Sequence, residues 1–308
     1  MFRYTLKRIL TGIVSLFVLA TTSFFLVRLM PGSPFQNGAV STDVVEAVEE
    51  EYGLNAPLFD QYLSYMGGLV QGDLGISYQE PDTPVAEIIG RTWPVTAGLG
   101  ILALLTAAVL GTGFGIIRAV SKRKVIKEGI AAVGMAAAGI PNFAIAILLL
   151  LLFSVKLGWF PAAGLLTPAH YVLPVLSLSL YPAAVIARLT ANTLAAEMGK
   201  QYVLSARAKG LGKGRILFTH ALKNAWIPVL NYVGPASAFL LTGSFVVESI
   251  FTIPGLGREF VSSITNRDYT LILGLTVFMG AVVIFVNLAT DLVCAWMDPR
   301  TRRSYSEK

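Results

Sequence analysis

The chain has 308 residues, of which 55% are hydrophobic and only 14% are charged, and its net charge is +6. An average soluble domain carries about 25% charged residues, so this composition excludes an ordinary water-soluble globular protein. One cysteine, Cys294, and two histidines, His170 and His220, cannot form an internal disulfide or a four-ligand metal cage, and no resident metal is expected.

Six apolar stretches are long enough to cross a membrane as helices. Each crossing needs about 20 apolar residues, because about 30 Å of hydrocarbon must be spanned at about 1.5 Å per residue. The first stretch follows Arg3, Lys7 and Arg8, as a signal peptide would, but it is too long and lacks an A-x-A site, so it is interpreted as a retained helix. In chain order, the predicted spans are 9–27, 92–117, 129–155, about 171–187, 224–247 and 269–290.

The distribution of basic residues predicts the orientation of these spans. Four segments hold 19 of the 24 lysines and arginines: the N-terminus, 118–128, 188–223 and the tail from 298. The segments between them hold five basic and 13 acidic residues. By the positive-inside rule the basic set is cytoplasmic, and an even number of crossings agrees. We therefore expect an all-α polytopic protein of the cell membrane, with both termini cytoplasmic, that lies in lipid and binds no nucleic acid.

The segment between the first two spans is predicted to be an acidic, turn-rich insertion outside the cytoplasm. Asp43 and Glu46 have the spacing of a helix cap and its reciprocal partner, and a short amphipathic helix is predicted over 57–70. Composition leaves open whether this insertion is a solvated lid or a docking surface. The predicted division of the chain is an N-terminal transmembrane helix (1–30), an extracytoplasmic insertion (31–92), a five-helix core (93–298) and a cytoplasmic tail (299–308).

The longest predicted cytoplasmic loop covers about 188–223. Small, apolar and basic residues alternate between Tyr202 and Gly210, which predicts a short surface helix that the glycines at 210, 212 and 214 end. The phosphate-binding pattern G-x-x-x-x-G-K-[ST] and the strand that precedes it are both absent, so this chain is not expected to bind ATP. From composition alone, the alternative that such a loop rests against lipid headgroups stays open.

Prolines inside two spans make them candidates for a pathway. Pro141, followed by Asn142, lies in the third span and Pro235 in the fifth; each removes a backbone donor, which indicates either a bent, pore-lining helix or simple packing. The predicted pathway face of the fifth helix consists of Asn231, Pro235, Ala238 and Thr242. The adjacent small-residue face, predicted to pack against another helix, consists of Gly234, Ser237, Leu241 and Ser244.

Asp291 is the one carboxylate near the end of the sixth span. Such a group can mark an ion pathway. It precedes Asp298 by only about 10 Å of helix, so we expect it to lie near the cytoplasmic interface, paired with a basic group.

A set of short motifs occurs in order along nearly the whole chain. The first half contains Pro31-Gly32-Ser33-Pro34, Tyr52-Gly53-Leu54, Gly72-Asp73-Leu74-Gly75, Pro84-Val85 and Gly139-Ile140-Pro141-Asn142-Phe143. The second half contains the stretch Tyr202 to Leu211, His220 to Ala225 with Pro228, Val247-Glu248-Ser249-Ile250-Phe251, Pro254-Gly255-Leu256-Gly257, Arg267-Asp268-Tyr269 and Asp298-Pro299-Arg300. Together these motifs resemble the inner-membrane permeases of binding-protein-dependent ABC importers, specifically the B-type subunit of dipeptide and oligopeptide systems.

The resemblance implies a type I ABC importer permease fold, with six transmembrane helices and an insertion after the first. In such permeases the cytoplasmic loop docks a short helix into a cleft on the ATPase subunit. Aligning the motif glycine with Gly210 puts Leu204 where the general pattern has glutamate. The residues then expected to meet the ATPase are Tyr202, Ala206 and Leu211 by packing, and Arg207 and Lys209 by facing acidic groups.

The resemblance also implies partners. These are a second permease subunit, two ATP-binding subunits that hold ATP and Mg, and an extracytoplasmic substrate-binding protein, while this chain binds no cofactor and is no enzyme. Short peptides are the expected substrate, with nickel, glutathione or oligosaccharide as alternatives. Glu248 would be a gate or docking residue beneath the binding protein, although a re-entrant turn without recognition duties stays open.

Two other functional classes fit the residues less well. A secondary transporter predicts inverted repeats and midplane charges, for which only Asp291 is a candidate. A membrane-embedded enzyme needs a nucleophile or metal constellation, and neither H-E-x-x-H nor G-x-S-x-G occurs in the sequence.

Overall fold

The computed structural model describes residues 2–30, 34–35, 50 and 53–297. Regular structure in this part is helical, apart from one isolated antiparallel bridge between Ile76 and Pro84. The helices of the first half are α1 (Phe2–Arg28), α2 (Leu58–Gln71), α3 (Val85–Val120), α4 (Lys124–Gly139) and α5 (Asn142–Leu149), which continues as a π-helical segment, Leu150–Lys156. Those of the second half are α6 (Pro168–Met198), α7 (Gln201–Ala208), α8 (Lys213–Arg215), a π-helical segment (Ile216–Ala221), α9 (Leu222–Ala225), α10 (Ile227–Thr242), α11 (Phe245–Ile250), α12 (Leu256–Thr265) and α13 (Tyr269–Met297).

Most of the predicted spans are observed as long apolar helices. In the described part of the chain, five stretches suit a membrane crossing: Thr5–Arg28, Val85–Val120, Pro168–Met198, Ile227–Ile250 and Tyr269–Cys294. A sixth is reached only if Lys124–Gly139 and Asn142–Lys156 are counted together, and these two helices are bent by 104°. The all-α membrane fold is therefore confirmed, while the third predicted span is not a simple helix.

The bend lies at Ile140 and Pro141. Ile140 has an extended backbone, with φ −95° and ψ 128°, as expected because the ring of a following proline disfavours the helical conformation. Pro141 then precedes α5, and its carbonyl accepts hydrogen bonds from the amides of Ala144 and Ile145. The single span predicted over 129–155 is thus corrected to two helices that meet at an elbow, here called the Ile140–Pro141 elbow.

Helices α3 and α6 form the centre of the bundle. Two glycines of α3 let their backbones approach, since a Cβ at Gly111 would lie 2.7 Å from the Ala183 carbonyl oxygen and one at Gly115 would lie 2.6 Å from Cβ of Thr190. Close approach through small residues is the usual way in which membrane helices gain van der Waals contact. Helices α4, α5 and α10 pack onto this pair.

Several helix boundaries differ from the sequence prediction. Helix α6 continues beyond the predicted end at 187 to Met198, because no proline or glycine interrupts the chain before Gly199. The first part of the predicted cytoplasmic loop is therefore helical. The amphipathic helix predicted over 57–70 is confirmed as α2, whereas the predicted cap at Asp43 and Glu46 lies outside the described residues.

Helix α1 packs along α13 at the edge of the bundle. Near one end of this pair, the Arg8 guanidinium forms an ion pair of 2.8 Å with the carboxylate of Asp291. The expectation that Asp291 pairs with a basic group is confirmed, so the residue helps to join α1 to α13.

A short hairpin over 72–84 is fastened to the other end of α13. The Ser77 hydroxyl donates a 2.5 Å hydrogen bond to Oδ2 of Asp268, which is fully buried. The second carboxylate oxygen of Asp268 accepts from the Leu271 amide, so the same side chain caps the start of α13.

Candidate functional site

The short helix α7 lies where the sequence predicted the coupling helix, and Gly210 defines its end. Gly210 has φ +78°, a left-handed conformation that favours glycine. Its amide donates to the Arg207 carbonyl at 2.9 Å, and the Leu211 amide donates to the Ala206 carbonyl at 3.2 Å. This pair of bonds is a Schellman motif, which ends the helix and folds the chain back over it.

One face of α7 is buried against its own chain. Val203 and Ala206 pack with Ile216, and the half-buried Met198 and Leu211 cover the same cluster. Ala206 is only 6% exposed, so it holds α7 to the segment after it and cannot contact a partner in this structure. In this conformation Ala206 stabilises the loop itself, and its expected packing against an ATPase stays a prediction.

A polar network ties α7 to α6 and α9. The Tyr202 hydroxyl donates to Oε2 of Glu197 at 2.6 Å, Lys200 pairs with Oε1 of the same carboxylate at 2.5 Å, and the Asn224 side-chain amide donates to the Tyr202 oxygen at 3.2 Å. Burial and the hydrogen bond to Glu197 raise the pKa of Tyr202, so its hydroxyl stays protonated as a donor. Glu197, which the sequence prediction missed, is thus the anchor of the loop.

The outer face of α7 is exposed and mixed in chemistry. Leu204 is 52% exposed, and Arg207, Lys209 and Gly210 are exposed beside it. An exposed leucine flanked by two cations suits a partner surface that has an apolar pocket with acidic groups at its edge. The sequence alignment placed Leu204 at the usual glutamate position but did not include it among the contact residues; its exposure is what singles it out.

A cavity of about 520 Å³ lies beside the Ile140–Pro141 elbow. Its walls come from three places: the elbow itself, the middle of α6 and the middle of α10. The lining residues include two of the predicted pathway residues, Pro141 and Asn142. The other residues that matter here are Tyr181 and Pro182 of α6 and Tyr232, Ala236 and Phe239 of α10.

The predicted pathway face of α10 is only partly exposed. Asn231 and Pro235 are exposed and Thr242 is half-buried, but none of the three lines the elbow cavity. Ala238 is 3% exposed and belongs to the packed side of the helix, so its assignment to the pathway face was wrong. The elbow cavity is reached instead by Ala236 and Phe239, which lie one residue around the helix from the predicted face.

The small-residue face of α10 includes a tight helix contact. A Cβ placed on Gly234 would lie 2.1 Å from Cγ2 of Thr290 on α13. No side chain larger than hydrogen fits there without a shift, which agrees with the packing role predicted for Gly234.

Glu248 is buried where the sequence suggested a gate or a docking residue. It is 1% exposed, and its carboxylate accepts hydrogen bonds from the amides of Ser244 at 3.2 Å and Gly257 at 2.9 Å and from the Thr96 hydroxyl at 3.2 Å. Thr96 also accepts from the Leu256 amide at 2.8 Å. In this conformation Glu248 therefore cannot touch an external protein; it ties α3, α11 and the start of α12 together.

Three glycines make room for this carboxylate. A Cβ at Gly255 would lie 2.3 Å from Oε2 of Glu248, and those at Gly243 and Gly257 would lie 2.9 Å and 3.1 Å from its oxygens. Gly243 also has φ +100°, which sets the break between α10 and α11. The glycines of the Pro254-Gly255-Leu256-Gly257 motif thus serve the burial of Glu248, a link that the sequence pattern alone did not reveal.

Within the described ranges, no group of three or more histidine, cysteine, aspartate or glutamate side chains is placed to hold a metal ion.

Similarity to known proteins extends over nearly the whole chain. Residues 111–303 match the family described as "Binding-protein-dependent transport system inner membrane component", and residues 1–100 match "Binding-prot-dependent transport system membrane comp, N-term". The oligopeptide transport system permease protein OppB of Salmonella typhimurium is 40% identical over 305 residues, which are 98% of this chain and 100% of that protein. The dipeptide transport system permease protein DppB of Bacillus subtilis is 37% identical over 303 residues, 98% of each chain.

Solved structures share the fold at lower identity. A chain of the MetNI methionine ABC transporter in an inward-facing conformation superposes with a TM-score of 0.56 at 17% identity, covering 69% of this chain and 97% of that one. A chain from an amino acid ABC transporter with histidines gives a TM-score of 0.51 at 17% identity, covering 70% and 94%. Both structures are of ABC transporters, and the helical core described above shares the fold of these two chains.

Proposed function

The chain belongs to the family of binding-protein-dependent transport system inner membrane components, and on that premise we propose that it forms one transmembrane half of an ATP-driven importer of short peptides. The observation that carries the proposal is the full-length similarity to oligopeptide and dipeptide permeases, which extends through the N-terminal 100 residues. The methionine transporter chain covers only 69% of this chain, whereas the oligopeptide and dipeptide permeases cover 98% of it.

We infer that the outer face of α7 receives the motion of an ATPase subunit. A coupling element must be rigid and attached to the bundle, because a loose loop absorbs the displacement instead of transmitting it. The Schellman motif at Gly210, the apolar cluster around Ile216 and the polar anchor at Glu197 supply that rigidity. Leu204, Arg207 and Lys209 are left exposed for the partner.

The elbow cavity supports the proposal that the translocation pathway runs beside the Ile140–Pro141 elbow. It is walled by helices from different parts of the fold, and Asn142, Tyr181 and Tyr232 give it polar atoms in an otherwise apolar setting. A peptide needs both polar and apolar surroundings, because its backbone is polar while its side chains vary. A second permease subunit would close the other side, facing the exposed Asn231 and Pro235 of α10.

The remaining parts of the proposed assembly follow from the charge distribution and the family. Both termini and α7 lie in the cytoplasm, while the hairpin over 72–84 and the segment around Glu248 lie outside, below a substrate-binding protein. Two ATP-binding subunits hold ATP and Mg, and this chain holds no cofactor. Glu248 acts as a strut that fixes the outer end of the pathway and makes no direct contact with the binding protein.

Uptake in a deletion strain tests the substrate. Cells that lack the chain are expected to lose uptake of labelled di- and oligopeptides and to regain it when the gene is restored, while labelled nickel uptake is unchanged. If cells that lack the chain lost nickel uptake but kept normal peptide uptake, nickel would replace short peptides as the proposed substrate. If the purified complex contained no ATP-binding subunit, the proposal that the chain belongs to an ATP-driven importer would be contradicted.

A further inference from the structure

A second cavity, of about 480 Å³, lies at the opposite side of the bundle from the elbow. It is bounded by the end of α1, by α2, by the 72–84 hairpin and by the start of α13, and it shares no lining residue with the elbow cavity. The proposed transport function assigns no role to it. Its lining combines one guanidinium, two carboxylates, a side-chain amide and several aromatic rings: Arg28, Asp60, Asp73, Gln61, Phe24, Tyr65, Tyr78 and Tyr269.

Arg28 brings a positive charge into this cavity without a direct ion pair among the described residues. Its guanidinium carbon lies 5.4 Å from the ring centroids of both Phe24 and Tyr269. Its Nε is buried without a hydrogen-bond partner, and among the described residues no carboxylate is within ion-pair distance. A buried arginine donor without an acceptor is costly, so an oxyanion bound in the cavity would stabilise this side chain.

Tyr65 and Gln61 add one further donor and one acceptor. The Tyr65 ring stacks on Phe24 with centroids 5.5 Å apart, and its hydroxyl is buried without a partner. Burial and the neighbouring Tyr62 raise the pKa of Tyr65 to about 12, so the hydroxyl is protonated and available as a donor. Gln61 donates both of its amide bonds to the carbonyls of Leu54 and Ala56 at 2.8 Å, which leaves its buried Oε1 as an unused acceptor.

The rim of the cavity has the opposite charge to its floor. Asp60 of α2 and Asp73 of the hairpin are both exposed and both line the cavity. A ligand with an oxyanion at the floor and a cation at the rim would be complementary to this arrangement. The rings of Phe24 and Tyr269 already lie beside the Arg28 guanidinium, so the carboxylates of Asp60 and Asp73 would bind the ligand's cation.

The level of the cavity relative to the membrane limits the choice of ligand. Arg28 ends the apolar run of α1, which places its guanidinium at the boundary between hydrocarbon and headgroups. Phe25 and Leu26, which precede Arg28 on α1, and Phe59 of α2 are exposed. Apolar chains can therefore lie along α1 while a polar group enters the cavity.

We propose that this cavity binds the headgroup of a zwitterionic phospholipid that carries a primary ammonium, such as phosphatidylethanolamine. The phosphate accepts hydrogen bonds from Arg28 and Tyr65, and the ammonium, which lies farther from the hydrocarbon, donates to Asp60 and Asp73. Binding joins α2 and the hairpin to the α1–α13 pair. The inference requires only that α1 crosses the membrane and does not depend on the transported substrate.

Lipid exchange followed by native mass spectrometry tests the proposal. The chain, purified with its co-expressed partner subunits, is placed in nanodiscs of phosphatidylethanolamine or phosphatidylcholine, and the lipids retained after detergent extraction are counted. We expect retention of phosphatidylethanolamine to exceed that of phosphatidylcholine by about tenfold, because a choline headgroup cannot donate hydrogen bonds to the rim carboxylates.

Three variants and one control locate the bound lipid. Arg28→Gln is expected to reduce retention of both lipids by about tenfold, and Tyr65→Phe to reduce it less. Asp60→Asn, at an exposed position where folding is not at risk, should abolish the preference for ethanolamine over choline. Lys156→Gln removes an exposed cation outside the cavity and should change nothing.

Two outcomes would overturn the proposal. One is equal retention of the two lipids by the wild type, or unchanged retention by both Arg28→Gln and Asp60→Asn. The other is displacement of the lipid by a millimolar dialanine probe in an Arg28-dependent manner, which would make the cavity a site for the free zwitterion. Neither outcome affects peptide uptake as a test of the proposed function, since uptake is measured separately in cells.

Discussion

The hydroxyl of Tyr202 donates a 2.6 Å hydrogen bond to the carboxylate of Glu197, which fastens the short helix α7 to the end of α6. Removing this bond in Tyr202→Phe should weaken the attachment by about 1 kcal/mol, since the pair is partly exposed. We expect peptide uptake to fall several-fold while ATP hydrolysis by the complex continues. The ratio of peptide transported to ATP hydrolysed, measured in proteoliposomes, checks this prediction. Gln201→Ala, an exposed change on the same helix, should leave the ratio at the wild-type value.

Gly210 and Gly212 form a matched pair for testing the Schellman motif. Gly210 has φ +78°, so Gly210→Ala forces a side chain into a left-handed conformation at about 1–2 kcal/mol, whereas Gly212 has φ −64° and open space around it. Gly210→Ala should reduce uptake and leave basal ATP hydrolysis in place, Gly210→Pro should abolish uptake, and Gly212→Ala should behave as wild type. Equal uptake by the Gly210→Ala and Gly212→Ala proteins would refute the coupling role of the motif.

Glu248→Ala should be among the most destabilising single changes in this chain. It leaves the buried amides of Ser244 and Gly257 without an acceptor, at about 3 kcal/mol in total. Thermal unfolding in detergent should show a clear fall in Tm, together with lost uptake. Glu87→Ala removes an exposed carboxylate nearby and should leave Tm unchanged. If the two variants unfold at the same temperature, Glu248 does not stabilise the packing of α3, α11 and α12.

The contact between Gly234 and Thr290 predicts a rescue experiment. A methyl group at Gly234 meets the Thr290 side chain at 2.1 Å, so Gly234→Ala should destabilise the protein by about 1–3 kcal/mol. Thr290→Ala in the same chain should restore part of the loss, because it removes Cγ2 and Oγ1 but keeps Cβ, which lies 2.7 Å from the new methyl group. Gly113→Ala is the control, since nothing lies near its Cβ position and alanine favours a helix. Thermal unfolding of the wild type, Gly234→Ala, Thr290→Ala and the double variant measures the coupling, and additive effects would argue against the contact.

Narrowing the elbow cavity should change transport selectively. Ala236→Leu places a larger side chain into the cavity wall, and we expect uptake of peptides with bulky side chains to fall more than uptake of dialanine. Ala136→Leu, on an exposed position of α4 that does not line the cavity, serves as the control. Competition assays in whole cells measure the uptake of bulky peptides and the uptake of dialanine. Equal losses for small and bulky peptides would place the pathway elsewhere.

The long helices were predictable because the bilayer demands long charge-free runs, and such runs are visible without a structure. The Ile140–Pro141 elbow was only half predictable. Pro141 marked a perturbed helix, but the 104° angle depends on how α5 packs against α6, which no local pattern encodes. The extension of α6 to Met198 was missed because Arg188 was interpreted as the end of the span, although a helix continues past a membrane surface whenever nothing interrupts it.

Some features of the functional residues could likewise be predicted from the sequence, and others could not. The position of α7 and its end at Gly210 followed from small residues and glycines, but its two faces carry little contrast in hydrophobicity, so the sequence could not tell that Ala206 is buried and Leu204 exposed. Glu248 was expected to be a gate or docking residue because the resemblance puts its segment beneath the binding protein, with a re-entrant turn as the alternative. Only the backbone amides gathered by its neighbouring glycines explain how it is accommodated.

The Ile140–Pro141 elbow has a consequence for hydration. Helix α4 has 16 residues and is about 24 Å long, so neither arm of the elbow crosses the hydrocarbon by itself. The polar backbone at Gly139, Ile140 and Pro141 is therefore held at membrane depth, where irregular backbone is tolerated only next to protein or water. We therefore expect the adjoining 520 Å³ cavity to be hydrated. A hydrated cavity at this depth would leave the barrier to leaking ions to the remaining thickness of the bundle.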